Sequence, residues 1–303
     1  MKRSIFTLLF SFVLYLNISF AQVGVGIFGL PPNDAQSYSK PLATYVGTFF
    51  NSGAYYSAEL PETFRFKFSI IGMYSSIPDG QKTFTPNSDL EGYTNLGTTS
   101  TFVGEKGGLY LGPQGFLTYP AGFNVSSIPS GIYQIAGSYY GTELLLRFFP
   151  NLKFSDVETG FWGIGVKHNI SQWIPDLPLD IALQILYNNF DLEYVGDNPR
   201  NYINMGSKNF AINAHASKTF EGMFIVYGGL QYESSSMDLE YFFRDPNELY
   251  PAIKDTRQKT TVDGDNVFRF TAGGAVKLAI VVINVDLNLT TMFTVSGGVS
   301  LQF

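Results

Sequence analysis

Phe293-Thr-Val-Ser-Gly-Gly-Val-Ser-Leu-Gln-Phe303 is the stretch that decides the fold. With an extended backbone, Phe293, Val295, Gly297, Val299, Leu301 and Phe303 point one way, and Thr294, Ser296, Gly298, Ser300 and Gln302 point the other. Side chains of a strand alternate with period 2, so the segment is a ribbon with one apolar and one hydrophilic face. The alternation reaches back to Asn284, so it is not confined to one short run.

Working outward, the same period recurs along the chain. Phe64, Phe66, Phe68 and Ile70 alternate with Arg65, Lys67 and Ser69, and alternating segments return at 131–139, 142–149, 159–170, 179–190, 207–220, 222–243, 263–278, 281–289 and 292–303. The apolar residues never run for the roughly 18 positions a membrane helix needs. Charged residues make up 15% of the chain and aromatics 16%, against roughly 25% charged in soluble domains. Alternation without long runs predicts an all-β fold, an antiparallel transmembrane β-barrel of about 10–14 strands.

Loop lengths agree, because such barrels join their strands by short turns on one side and long loops on the other. Connections at Tyr140-Gly141, 171–178, Glu221 and Ile280 are short; those at 76–130, 191–206 and 244–262 are long, the first with a hairpin near 108–119. If the first strand starts at the periplasm, all long loops fall outside and both ends of the barrel domain fall inside. The brief connections near Asn151 and Thr290 are exceptions to the length rule. Aromatics gather at the predicted ends, with Tyr139, Tyr140, Trp173, Phe220 and Phe303 on the turn side and Tyr74, Phe149, Tyr187, Phe190 and Tyr232 on the loop side.

Met1-Lys2-Arg3, the apolar stretch from Ile5 to Phe20 and the small residues around Ala21 read as a secretory signal peptide, residues 1–21. No Cys follows, so a lipidated amino terminus and a disulfide scaffold are excluded. Residues 22–56 are predicted to be a periplasmic amino-terminal arm and a helix, and 57–303 the barrel. In the helix, Leu42, Tyr45, Val46, Phe49 and Phe50 recur at helical spacing, with Ser37 or Ser39 as N-cap, Pro41 in the first turn and Asn51-Ser52-Gly53 as the stop. It could plug the barrel mouth or lie on the periplasmic membrane surface. No Lys or Arg lies between Leu42 and Phe50, which favours the plug.

The closing strand with its terminal Phe303 resembles the last strand of Gram-negative outer-membrane barrels, which the barrel-assembly machinery takes up. Asn51-Ser-Gly-Ala-Tyr-Tyr-Ser57, Gly141-Thr-Glu-Leu-Leu-Leu-Arg-Phe-Phe-Pro150, Gly163-Ile-Gly-Val-Lys-His-Asn-Ile-Ser-Gln-Trp-Ile-Pro175 and Leu177-Pro-Leu-Asp-Ile-Ala182 resemble a Gram-negative outer-membrane family of uncharacterised function. That family is distantly similar to long-chain fatty-acid and hydrocarbon transport barrels. The resemblance implies a barrel with an amino-terminal segment that enters it, and it carries over no binding residues.

If the apolar faces meet lipid, the opposite faces line the lumen. The lumen candidates are Arg65, Lys67, Glu143, Arg147, Lys167, Asp180, His215, Arg269, Lys277 and Asp286. A basic residue at mid-membrane on the lipid face would cost roughly 2–4 kcal/mol. Basic groups outnumber acidic ones in this set although the whole chain has net charge −6. Such a lumen could attract anions, or its charges could neutralise one another as a packing network. Folding the Trp173 turn symmetrically pairs Lys167 with Asp180. Gly163, Gly165 and Gly273 share the inward face and leave room for long side chains or a plug, whereas Gly228, Gly274 and Gly297 face outward.

Two His and no Cys give no metal-ligand spacing, and His168 with Asn169 is expected to satisfy backbone groups at a strand end. Gly24-Val-Gly-Ile-Phe-Gly29 has no preceding strand and is no dinucleotide site. No catalytic constellation, cofactor or nucleic-acid patch is indicated. The expected function is passage or capture of a small hydrophobic or anionic solute across the outer membrane of a Gram-negative bacterium. The alternatives are an accessory barrel with a closed lumen that binds a partner through its long loops, and a soluble secreted β-sandwich or calyx.

Overall fold

The computed structural model describes residues 30, 32–86, 97–112, 115–154, 157–195, 202–242 and 257–303. The predicted leader and most of the predicted arm, 22–29, lie outside these residues. In chain order the elements are α1 (Pro32–Phe50), β1 (Arg65–Ser76), β2 (Thr83–Phe84), β3 (Thr99–Ser100), β4 (Leu109–Gly112), β5 (Gly115–Thr118), β6 (Ser127–Tyr139), β7 (Thr142–Phe154), β8 (Val157–Asn169), β9 (Asp180–Val195), β10 (Tyr202–Phe220), β11 (Phe224–Phe242), β12 (Arg257–Asp263), β13 (Phe268–Leu278), β14 (Val281–Leu289) and β15 (Thr294–Gln302).

β1 pairs with β6 on one side and with β15 on the other, and this closes the sheet. The order around the barrel is β1-β6-β7-β8-β9-β10-β11-β13-β14-β15, with every pairing antiparallel. β12 and β13 pair with successive parts of β11, so together they form one stave of ten. The single strand expected at 263–278 thus begins earlier and is interrupted at 264–267. There Gly264 N–H still reaches Ser235 O at 3.0 Å, and Glu233 N–H reaches Val267 O at 2.8 Å. The long segment after β1 contains two small hairpins, β2–β3 and β4–β5, the second where the sequence places one.

Alternation sets the wall. Leu183, Ile185, Ile212, Val226, Leu230, Ile283, Val285 and Leu287 are exposed outside, while Gln134, Gln184, Asn188, Asn209, Asn213 and Ser296 are buried inside. Neighbouring inward pairs bond across strands, as in Ser69 with Ser300 at 2.7 Å and Ser75 with Thr294 at 2.8 Å. At the turn end, Tyr140 and Gly141 both take positive φ, 51° and 68°. A two-residue hairpin matching the strand twist demands this, and Gly supplies it without strain. Phe149 and Phe190 are corrections to the expected aromatic rim. Both rings pack against Phe50 inside the barrel.

Ten strands about 4.8 Å apart and tilted by about 40° close around a space about 20 Å across. Side chains from the wall alone leave the axis open, and a helix about 10–12 Å wide with its side chains fits there. α1 occupies that axis. It starts at Pro32, ahead of both expected N-caps, Ser37 and Ser39; a missing N–H costs nothing there, and Asp34 lies in the first turn. It then runs through Pro41, giving up one helical bond.

Candidate functional site

The amino-terminal segment runs inside the barrel from the loop end to the turn end. The apolar face of α1 finds its match at the loop end, where β10 and β11 extend furthest. Tyr38, Tyr45, Val46, Phe49 and Phe50 pack against inward Ile71, Met73, Ile132, Ile203, Met237 and Leu239. Burying five such side chains contributes roughly 10 kcal/mol gross. Phe50 stacks on Phe161 with centroids 4.0 Å apart. At Gly47 the helix touches the wall so closely that a Cβ would lie 2.4 Å from Ser235 Cβ.

Above α1, the described residues between β1 and β6 form a cap. Phe102 N–H donates to Tyr38 O at 2.9 Å, Tyr38 Oη–H donates to Ala121 O at 3.0 Å, and Tyr119 bonds Asp34. At the cap's edge, the Lys82 ammonium bonds the Asp79 carboxylate and holds it below the usual range.

At mid-barrel the helix ends, and its last carbonyls have no partner within the helix. The wall supplies donors. Arg147 donates to Phe50 O and, at 2.6 Å, to Ser52 O; Arg269 donates to Thr48 O at 2.7 Å and to Ser52 Oγ. Gln231 reaches Asn51 O at 3.2 Å, and Gln134 reaches Gly53 O at 2.8 Å. Two guanidinium groups thus sit at the negative end of the helix dipole, where cations are favoured. Arg269 also makes a 3.0 Å ion pair with Glu233, both fully buried. Glu233 was absent from the sequence candidates, though its alternation with exposed Tyr232 marks it as inward.

Below this layer Tyr55 stacks on His215, centroids 3.9 Å apart, and His215 Nδ1 meets Asn213 Oδ1 at 2.8 Å. Tyr227 Oη–H donates to Asp286 at 2.9 Å, and Ser296 and Asn288 each bond the same carboxylate at 2.6 Å. Neutral donors therefore hold Asp286. At the turn end Lys67 and Lys167 each lie 3.0 Å from Glu143. Lys167 also donates to Ser57 O at 3.2 Å, Asn169 to Ala58 O at 3.0 Å, and Ala58 N–H to Ser217 Oγ at 2.8 Å. The lumen segment therefore extends beyond the expected boundary at residue 56. A cavity of about 130 Å³ remains at this end, reached by Arg65, Lys67, Glu143, Lys167 and Lys277.

The expected Lys167–Asp180 pair does not form. The turn after β8 is asymmetric, so Lys167 lies opposite Gln184, and Asp180 instead accepts from Asn169 and Ser171. His168 bonds the Thr142 and Gln172 side chains at 2.8 and 3.0 Å instead of backbone groups, while Asn169 Oδ1 does accept the Gln172 N–H. Arg65, Asp180 and Lys277 are half-buried at the turn-end rim; Lys67, Glu143, Arg147, Lys167, His215, Arg269 and Asp286 are buried. A Cβ at Gly163 would meet Asn188 Oδ1 at 2.2 Å and one at Gly273 would meet Tyr227 Cζ at 2.5 Å, so neighbouring side chains use the room these glycines leave. Among the described residues no group of three or more His, Cys, Asp or Glu is placed to hold a metal ion. No helix among them is long and apolar enough to cross a membrane, which leaves strand-built crossing untouched.

A closed barrel threaded by its own amino-terminal segment is thus the architecture to compare. The chain belongs to DUF6588, a family of unknown function. The family model matches residues 1–303. No curated protein matches the chain in sequence. Among solved structures it is similar to the attachment invasion locus protein Ail of Yersinia pestis, at 8% identity and TM-score 0.29 over 80% of this chain and 99% of that one. It is also similar to the translocator domain of the autotransporter NalP from Neisseria meningitidis, at 9% identity and TM-score 0.31 over 90% and 98%. The CymD monoaromatic hydrocarbon channel matches at 7% identity and TM-score 0.24 over 81% and 89%. The barrel itself is shown by the strand register, in which β1 pairs with both β6 and β15.

Proposed function

We propose that this protein is a non-enzymatic outer-membrane barrel that captures or passes a small hydrophobic or anionic solute, and that residues 32–60 hold it closed at rest. The supporting observation is the inversion of polarity across its wall. Leu230 is 67% and Val285 55% exposed, whereas Asn188, Asn209 and Ser296 are 0% exposed. In water that arrangement forfeits apolar burial; against hydrocarbon it is favourable. Outward aromatics from Phe220 to Phe210, or from Phe64 to Tyr74, are ten residues apart along a strand, which spans about 25 Å at a tilt of about 40°. On this reading the turn end faces the periplasm and the loops face outward.

Support for solute handling comes from the polar middle of the lumen, where Gln184 Nε2 and Asn209 Nδ2 are buried without a protein partner among the described residues. The packed cap over α1 favours a second reading, an accessory barrel whose lumen stays shut. Recovery in the outer-membrane fraction and heat-modifiable migration test the membrane assignment. Planar-bilayer recordings separate the two functions. The passage reading expects a silent native protein and discrete conductance from Arg147→Ala/Arg269→Ala; a folded but silent double variant would leave only the accessory reading.

A further inference from the structure

The turn-end cavity has a charge pattern that packing does not require. Its cations come from three places around the barrel: Arg65 and Lys67 on β1, Lys167 on β8, and Lys277 on β13. Its carboxylates are Glu59 and Glu143. Glu143 is engaged by both Lys67 and Lys167, and Glu59 accepts from Thr219 at 3.2 Å. Among the described residues Arg65 and Lys277 have no carboxylate within ion-pair distance and no side-chain hydrogen bond, although both reach the cavity. Four cations against two carboxylates leave an uncompensated positive charge in a partly enclosed space.

Its size is also informative. A water needs roughly 10–15 Å³ of such volume, so 130 Å³ admits a group of several non-hydrogen atoms. The Lys67–Glu143–Lys167 cluster is itself buried and tied to the Ser57 carbonyl, so it forms a fixed wall. Arg65 presents a planar fork suited to paired oxygens, and Lys277 a point charge with three donors. Low-dielectric walls strengthen the field at the mouth.

We propose that this cavity binds a small oxyanion, a phosphate or a carboxylate, that enters from the turn end, with Arg65 and Lys277 as the ligand-binding donors and the buried triad as their support. The proposal deepens the solute-handling reading by naming the chemical class and the end at which it is held. Binding is measured on the closed barrel and needs no conductance, so its failure is distinct from a failure of passage.

The test is calorimetric titration of the full chain in zwitterionic detergent at low salt, with inorganic phosphate in one arm and hexanoate in the other. Saturable binding is expected, weakening as sodium chloride is raised. Arg65→Ala/Lys277→Ala is expected to bind at least tenfold more weakly, while Lys153→Ala, an exposed control at the loop end, binds as the native chain does. Neither substituted cavity residue has a partner to lose, so the barrel still folds. Preference for phosphate identifies a free phosphate-type anion, and preference for hexanoate the carboxylate of an amphiphile. No saturable binding in either arm, or native affinity in the double variant, would overturn the proposal.

Discussion

Arg147 Nη2 lies 2.6 Å from the main-chain oxygen of Ser52, and the same guanidinium reaches the oxygen of Phe50. One buried side chain from the wall thereby closes off the end of the helix that fills the lumen. Charge-assisted bonds contribute about 1.5–3 kcal/mol each, and losing them here also strands buried carbonyls. Arg147→Ala is expected to destabilise the folded barrel by about 3 kcal/mol. Arg147→Lys keeps the charge but loses the fork, so it should recover only part. Thermal unfolding in detergent, read by gel migration, checks both; equal loss from the two variants would refute a role for the fork.

Gly47 tests the seating of α1. Gly47→Ala places a methyl against Ser235, and overpacking of this kind costs about 1–3 kcal/mol. Ser235→Gly removes one of the two obstructing side chains; a Cβ would still lie 2.6 Å from Asn266 Nδ2, so the double variant should regain only part of the loss. Limited proteolysis near residue 47 gives a second readout, with cleavage fastest in the single variant.

Glu143 is the carboxylate shared by two buried ammonium groups. Glu143→Gln leaves both uncompensated and should cost about 3–5 kcal/mol. Combining it with Lys67→Met removes one stranded charge and should be milder than Glu143→Gln alone. Additive losses, measured by denaturant unfolding in a common detergent, would contradict this coupling.

The outer face makes a positional prediction. Val285 lies mid-strand in β14 and points outward, so Val285→Lys should cost about 2–4 kcal/mol on folding into lipid bilayers. Ile280→Lys, at the turn between β13 and β14, should cost about 0–1 kcal/mol because its charge reaches the headgroups. Equal effects at the two positions would argue that no hydrocarbon surrounds this belt.

Most of the wall was legible from alternation, because the side-chain period of a strand is local and a lumen-facing Lys167 or Arg269 needs no knowledge of its partner. The inward direction of Lys67, Glu143, Arg147 and Asp286 followed from the same rule. Partners were less legible. A symmetric turn would pair Lys167 with Asp180, but the 3-10 turn at Ser171–Trp173 shifts the register and Glu143 on β7 takes its place. Phe149 and Phe190 share the composition of a membrane rim, but alternation from Arg147 and Asp180 turns both inward, and only the tertiary structure supplies the ring they pack against, Phe50.

The order of residues along the chain was enough to dictate a ribbon with one greasy and one hydrophilic face, its repetition, and the short and long connections that let it close. These depend on neighbours within a few positions. Where α1 rests, which carbonyls the two arginines grasp, and how Arg65 and Lys277 come to share a cavity were decided only in three dimensions. Those contacts join residues some 80 to 220 positions apart, and their geometry exists only once ten staves fix a lumen wide enough to admit a helix.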